Sequence, residues 1–298
     1  MRETQTLRPV AAAGRSSMQS SSLVREAFRE ALARARRLEA PRIEGEAIIA
    51  ASPGAEPPAR ILYLGVLHSG SRAVYTPPAE AALHFMPYRD FRATLVLYTI
   101  DPKDTRALHA LEAASKLGVR GYIVTPGMHP AYEQRLEELG VEIVRVTGEA
   151  PLLAMTLASL HWVPRMMGFR EERLRAEIEA LDDAVEWVEE RFSREIGEAS
   201  QIVGAGNFTL YYTPAGMPAA SYLSALTGAP IKPLEEAPKL GSPGVAFMAS
   251  VEEASYRDVL VSARVRGVRL AVLEVNTDPV TAGVYGVIAA ALIAGRVV

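Results

Sequence analysis

The chain of 298 residues contains no cysteine, which excludes disulfides, thiolate metal sites and cysteine nucleophiles. That absence fits a reducing compartment, and a cytoplasmic location is expected. Lysine is scarce: Lys103, Lys116, Lys232 and Lys239 stand alone, and arginine supplies the remaining basic charge. The net charge of −3 gives no reason to expect nucleic acid or an anionic membrane as a partner. No apolar run reaches the ~20 residues needed to span a bilayer. The most apolar stretch, 280–298, is interrupted by Gly283, Gly286, Gly295 and Arg296 and reads as a buried terminal helix. Histidine is confined to the first 161 residues, at His68, His84, His109, His129 and His161. No two of the five share an i, i+4 spacing with acids that would suggest a metal site, so neither metal nor cofactor is expected.

What is present begins with residues 1–22, rich in Ser, Ala and Arg, which read as a disordered tail without the apolar centre of a secretory signal. Over 23–38, Leu23, Ala27, Phe28, Ala31, Leu32, Ala35 and Leu38 recur at helical spacing. Ser22 is placed to cap this helix, and Pro41 and the 52–58 segment then break the chain, so 23–59 is a helix and linker. From Arg60 a strand–turn–helix pattern follows. Strands are expected at 61–66, 94–100, 120–125 and 141–146, and helices at 105–117, 132–139 and 151–167. Continuous apolar strands alternating with helices predict a parallel sheet covered on both faces. This first unit spans 60–169. The Glu- and Arg-rich segment 170–197 reads as a connecting helix, and the pattern restarts in a second unit, 198–298.

The restart has the form of a diverged repeat. Ile61 to Gly65 and His68 align with Ser200 to Gly204 and Asn207, and Gly118, Val119 and Arg120 align with Gly267, Val268 and Arg269. The strand through Tyr98 then falls on the strand through Phe247 without a gap, and the second unit is short by one helix–strand step.

The segment 94–105, then a helix, then Gly118 to Thr125, resembles the core of the sugar isomerase (SIS) domain family, which reads strand, Ser-x-Ser-Gly-x-Thr, helix, Gly, strand, Thr. Overall the chain is similar to two-domain phosphosugar isomerases of that family, such as archaeal phosphoglucose/phosphomannose isomerases and the isomerase half of glucosamine–fructose-6-phosphate aminotransferase. The resemblance implies an α/β chain of two tandem flavodoxin-like, three-layer αβα domains with parallel sheets. It also implies a homodimer that isomerises a phosphosugar from aldose to ketose through an enediol without a cofactor. The alternative is a non-catalytic SIS protein that binds a sugar phosphate as a sensor. That alternative is motivated by Asp101, Pro102 and Lys103, which stand where the family has its second Ser and Gly, by the absence of histidine from the second unit, and by the lack of a clear catalytic Glu; Leu67, where a glycine is usual, also departs from the family's phosphate-binding turn.

Candidate site residues follow from this frame. A strand–loop–helix junction offers free N–H groups and a positive dipole end to a phosphate. If 68–71 is such a junction, Ser69 and Ser71, with Thr99 and Thr105, are the hydroxyl donors, Arg72 the counter-charge and Asn207 the second-unit equivalent. The competing reading is a capping Ser beside a turn that needs glycine. Moving a proton between C1 and C2 needs a carboxylate base, for which Glu235 and Glu236 are the candidates unless they are solvated loop charges. The family's ring-opening His comes from the second unit, where this chain has none, which leaves His68 as the substitute.

Overall fold

The computed structural model describes residues 17–88, 92–166 and 171–298. Helix α1, Ser17–Ala35, buries Phe28, Ala31, Leu32 and Ala35 at the expected spacing, but Val24 takes the core place expected of Leu23, which is 49% exposed; the buried stripe packs on helix α6 (Pro151–Trp162). It starts upstream of Ser22, so 17–22 is helical. The tail expected over 1–16 lies outside the described residues.

The first sheet begins earlier than the sequence pattern predicts. Strand β1 is Ala47–Ala51, inside the supposed linker, and all five of its residues are buried. The segment 61–66 is not a strand: it lies within helix α2, Glu56–His68. Pro57 and Pro58 occupy the first turn of α2, where a missing N–H costs nothing. The helix is buried on most sides, with Ile61, Leu62, Leu64 and Val66 all in the core, so its apolar run shows no helical period. A Cβ on Gly65 would lie 2.3 Å from Val163 Cγ2, so only glycine allows this close crossing.

The chain continues through strand β2 (Ala73–Thr76), a short helix α3 (Pro78–Glu80), strand β3 (Thr94–Tyr98) and helix α4 (Thr105–Lys116). Strand β4 (Arg120–Thr125), helix α5 (Pro130–Glu138), strand β5 (Glu142–Arg145) and α6 (Pro151–Trp162) complete the first half. Its five strands are all parallel, in the order β2-β1-β3-β4-β5.

The expected connecting helix is three: α7 (Glu171–Glu179), α8 (Ala184–Arg191) and α9 (Ser193–Gly204). The domain boundary expected at 169/170 lies outside the described residues. Because α9 runs to Gly204, the pattern restarts later than expected, at strand β6 (Thr209–Tyr212). Then follow α10 (Met217–Thr227), β7 (Ile231–Pro233), α11 (Ala237–Leu240), β8 (Gly244–Ala249), α12 (Glu253–Val265), β9 (Leu270–Val275) and α13 (Pro279–Ala294). These strands form a second parallel sheet, β7-β6-β8-β9, one strand shorter than the first.

The two sheets share a strand order, and the later part of the sequence repeat coincides with it. Gly118 and Gly267 both adopt positive φ, 70° and 76°, where a side chain would be strained. Each is followed by the same helix-closing bond, Val119 N–H to Ala114 C=O at 2.9 Å and Val268 N–H to Ala263 C=O at 3.0 Å. The earlier part does not: 61–65 lies in α2, after β1, whereas 200–204 lies in α9, before β6.

One of three apolar clusters among the described residues runs through both halves along α2, α6, α10 and α13. The glycines of α13 set its distance from its neighbours: a Cβ on Gly283 would lie 2.8 Å from Ile61 Cδ1. Val284 and Ile288, both fully or nearly fully buried, each contribute about 1.5–3 kcal/mol of apolar burial. Among the described residues no helix is long and apolar enough to cross a membrane.

Candidate functional site

In a parallel sheet the crevice for a ligand opens at the carboxyl ends of two neighbouring strands whose connections leave in opposite directions. Those pairs are β1 and β3 in the first sheet, and β6 and β8 in the second. At the first switch point Ser52 follows β1, Thr99 follows β3, and Asp104 caps α4; all three are buried. One oxygen of the Asp104 carboxylate accepts from the Ser52 hydroxyl, and from the Thr99 hydroxyl at 3.2 Å. The other accepts from the first free N–H groups of α4, Arg106 at 3.0 Å and Ala107 at 3.1 Å. These hydroxyls and amides are the groups a phosphate would use at a helix N-terminus. Here the chain's own carboxylate holds them.

The second switch point is built the same way. Glu252 accepts from the Thr213 hydroxyl after β6, from Ala215 N–H at 3.1 Å ahead of α10, and from Ala249 N–H at 3.0 Å at the end of β8. At the start of α13, Asp278 accepts from Val280 N–H at 3.1 Å, while the Thr281 hydroxyl donates to Glu177 of α7. At the start of α2, burial pushes the Glu56 carboxyl above its ordinary range, against hydrogen bonds from backbone amides and the charge of Arg60. Arg60 stacks on the Tyr75 ring at 3.5 Å, and Tyr75 in turn meets Tyr63 with ring centroids 5.9 Å apart.

The residues singled out from sequence fall on both edges of the sheets. Helix α2 leaves the carboxyl edge of β1 and returns to the amino edge, where β2 begins. His68, at its last turn, and Ser69, Ser71 and Arg72 after it therefore lie opposite the crevice. The loop runs from helix to strand, the reverse of the expected order. Ser69 donates to the Val66 carbonyl at 2.6 Å, closing a helix C-terminus, whose negative end disfavours a phosphate. Asn207, between α9 and β6, lies on the same amino edge of the second sheet. Thr99 does stand at the switch point, and Thr105 is the exposed first residue of α4.

Glu235 and Glu236 follow β7 at the carboxyl edge of the second sheet. Glu235 is exposed and accepts from the Tyr256 hydroxyl; burial first, and then this carboxylate, push that hydroxyl up to about 12. Glu236 pairs with Lys232 at 3.8 Å. The glutamates and His68 thus belong to opposite edges of different sheets. Asp101 is exposed, accepting from Lys103 N–H at 2.9 Å within its own turn. The acid that fills the crevice is Asp104, which sequence reading passed over together with Ser52, Glu252 and Glu177. The signals were an N-cap Asp ahead of an amphipathic helix, and Ser-Pro-Gly ahead of a Pro-Pro helix start. Among the described residues no group of three or more His, Asp or Glu could hold a metal.

No family model matches the sequence, and no curated protein matches it. Solved structures do match. The C-terminal domain of glucosamine–fructose-6-phosphate aminotransferase from Francisella tularensis superposes with a TM-score of 0.62 at 14% identity, covering 93% of this chain and 92% of that one. Tagatose-6-phosphate ketose/aldose isomerase from Escherichia coli gives 0.59 at 14%, covering 96% and 93%. Glucosamine-6-phosphate deaminase from Thermotoga maritima gives 0.61 at 15%, covering 93% and 91%. This chain has the SIS-type fold. At these identities the likeness extends to the architecture, and the chemistry must be argued from the residues present.

Proposed function

We propose that this protein is a non-catalytic SIS-type protein that recognises a ligand of the sugar-phosphate class without isomerising it. The observation that carries the reading is the filling of both switch points by Asp104 and Glu252. A phosphate seated at α4 would meet a carboxylate already bonded to the hydroxyls and amides it needs, and the two anions would repel. The ligand class rests on the shared fold. Ligand contact is assigned to the mouth of the first crevice, with Thr105, Glu56 and Arg60 on its rim. The absence of histidine from the second half, and the solvation of Glu235, support loss of turnover.

The test is a thermal-shift screen against hexose and pentose phosphates with the free sugars as controls, followed by isomerisation assays on every hit. A phosphate-dependent rise in melting temperature without turnover is expected. Turnover of any phosphosugar overturns the non-catalytic reading, and no shift with any phosphosugar overturns the ligand class.

One observation favours the isomerase as a second reading: Glu235 is hydrogen-bonded to Tyr256 at a sheet edge where a proton-transfer base could act. In that case E235Q and E236Q would abolish the turnover that the assay detects.

A further inference from the structure

Strand β9 ends the second sheet, and among the described residues no strand lies beyond it. In the first sheet the corresponding strand, β4, is covered by β5 and by α5, whose Leu136 joins Ile123 in one buried cluster. The second half lacks that helix–strand step. The other sheet edges are short or blunted: β2 has four residues, β5 carries Glu142 and Arg145, and β7 has three residues that include Lys232 and Pro233. Strand β9 runs for six residues, Leu270–Val275, with neither Lys nor Pro. Its Leu270, Val272 and Glu274 are half-buried and line a groove of about 740 Å³, walled on one side by Leu260 and Val261 of α12.

Aligning Gly118 with Gly267 sets Arg269 on Arg120, Val272 on Ile123 and Glu274 on Thr125. The place of β5 in the first half then defines what β9 lacks. Glu142 lies opposite Tyr122, Ile143 opposite Ile123, Val144 opposite Val124 and Arg145 opposite Thr125. Arg120 reaches across to Glu142 at 2.6 Å. Its counterpart Arg269 is exposed, donates to the side-chain oxygen of Gln201 at 2.9 Å, and forms no ion pair among the described residues. Glu274, which faces the place of Arg145, forms none either. Most other charges beside the groove are closed on their own helices: Arg257 pairs with Glu253 at 3.3 Å and Arg194 with Glu195 at 2.8 Å. Arg191 lies 6.0 Å from the centre of the Phe192 ring, and Arg264 stands on the last turn of α12.

We propose that β9 takes up an extended peptide segment of another protein as a fifth strand, parallel to it and in the register of β5. The segment this edge selects reads acid, apolar, apolar, base. The acid lies opposite Ala271 within reach of Arg269, the first apolar residue opposite Val272 beside Leu260 and Val261, and the base opposite Glu274. Main-chain bonds supply the affinity and these side chains the register. A second copy of the chain does not offer its matching segment, because Glu142–Arg145 is already paired within the first sheet.

The test adds a synthetic peptide of residues 141–146, Val-Glu-Ile-Val-Arg-Val with blocked ends, to the full chain. Isothermal titration reads the affinity and hydrogen exchange the place. Saturable binding with a dissociation constant of about 1 mM or tighter is expected, with new protection over 270–275. Exchanging the acid and the base of the peptide should weaken binding by about tenfold. The variant R269E/E274K changes one exposed and one half-buried position and should fold, which circular dichroism checks; it should prefer the exchanged peptide. The proposal is overturned by no binding at about 1 mM, by binding without protection over 270–275, or by indifference of both proteins to the exchange of charges. It is also overturned if 270–275 is fully protected before peptide is added, because the chain or a copy of it then covers the edge.

Discussion

Replacing Asp104 by Ala tests the claim that a side chain of the protein occupies the place of an anion. Asp104 is 4% exposed and makes four hydrogen bonds, two to α4 amides and two from the hydroxyls of Ser52 and Thr99. Loss of the N-cap costs about 1 kcal/mol. Orphaning two buried hydroxyls costs about 1–2 kcal/mol more, since each can still find a carbonyl or a water. The total, about 2–3 kcal/mol, corresponds to a fall of about 3–5 °C in melting temperature for a chain of this size. The cavity left behind retains the positive end of α4 and two hydroxyl donors, so it should now accept an anion. Inorganic phosphate at about 100 times its dissociation constant would return about 2.7 kcal/mol to the variant. Differential scanning fluorimetry of wild type and D104A, each with phosphate and with chloride at equal ionic strength, reads both effects. The reasoning is refuted if D104A melts within about 1 °C of wild type, or if phosphate raises both proteins equally.

Glu252→Ala should cost a similar amount, about 2–4 kcal/mol, because one carboxylate there serves the Thr213 hydroxyl and two backbone amides; chemical denaturation measures it. Glu56, whose carboxyl is raised by burial, favours the folded state when protonated: its contribution is complete below the ordinary carboxylate range and fades as pH rises through the folded value. E56Q should therefore flatten that loss, visible as a smaller fall in melting temperature between pH 4 and pH 7 than wild type shows. Gly65→Ala forces a Cβ to within 2.3 Å of Val163 and should destabilise by about 1–3 kcal/mol, with part of the loss recovered by adding V163A. Replacing Ser69 and Ser71 by Ala should leave any thermal shift with sugar phosphates unchanged, since both lie on the amino edge of the first sheet.

How far the sequence reached can be judged element by element. The helix at 105–117 closed by Gly118, the apolar terminal helix, the alignment of Gly118 with Gly267 and the shortened second half were all legible, because each depends on local pattern in the chain. A glycine that must take positive φ, or apolar side chains repeating every three to four residues, carry their meaning locally. The parallel α/β class followed from the alternation of such segments.

What the tertiary structure alone decided lies where the chain is buried on all sides or meets itself across a long interval. Residues 61–66 and 47–51 are both continuous apolar runs, and a run that is buried all round has no period to separate helix from strand. That exchange moved the first crevice from 68–71 to Ser52. The site itself joins Ser52 to Asp104 across 52 residues and Thr213 to Glu252 across 39. Local pattern marks Asp104 as a helix cap. Only the packing of β1 beside β3 brings the Ser52 hydroxyl to it and makes that cap the anion of the crevice.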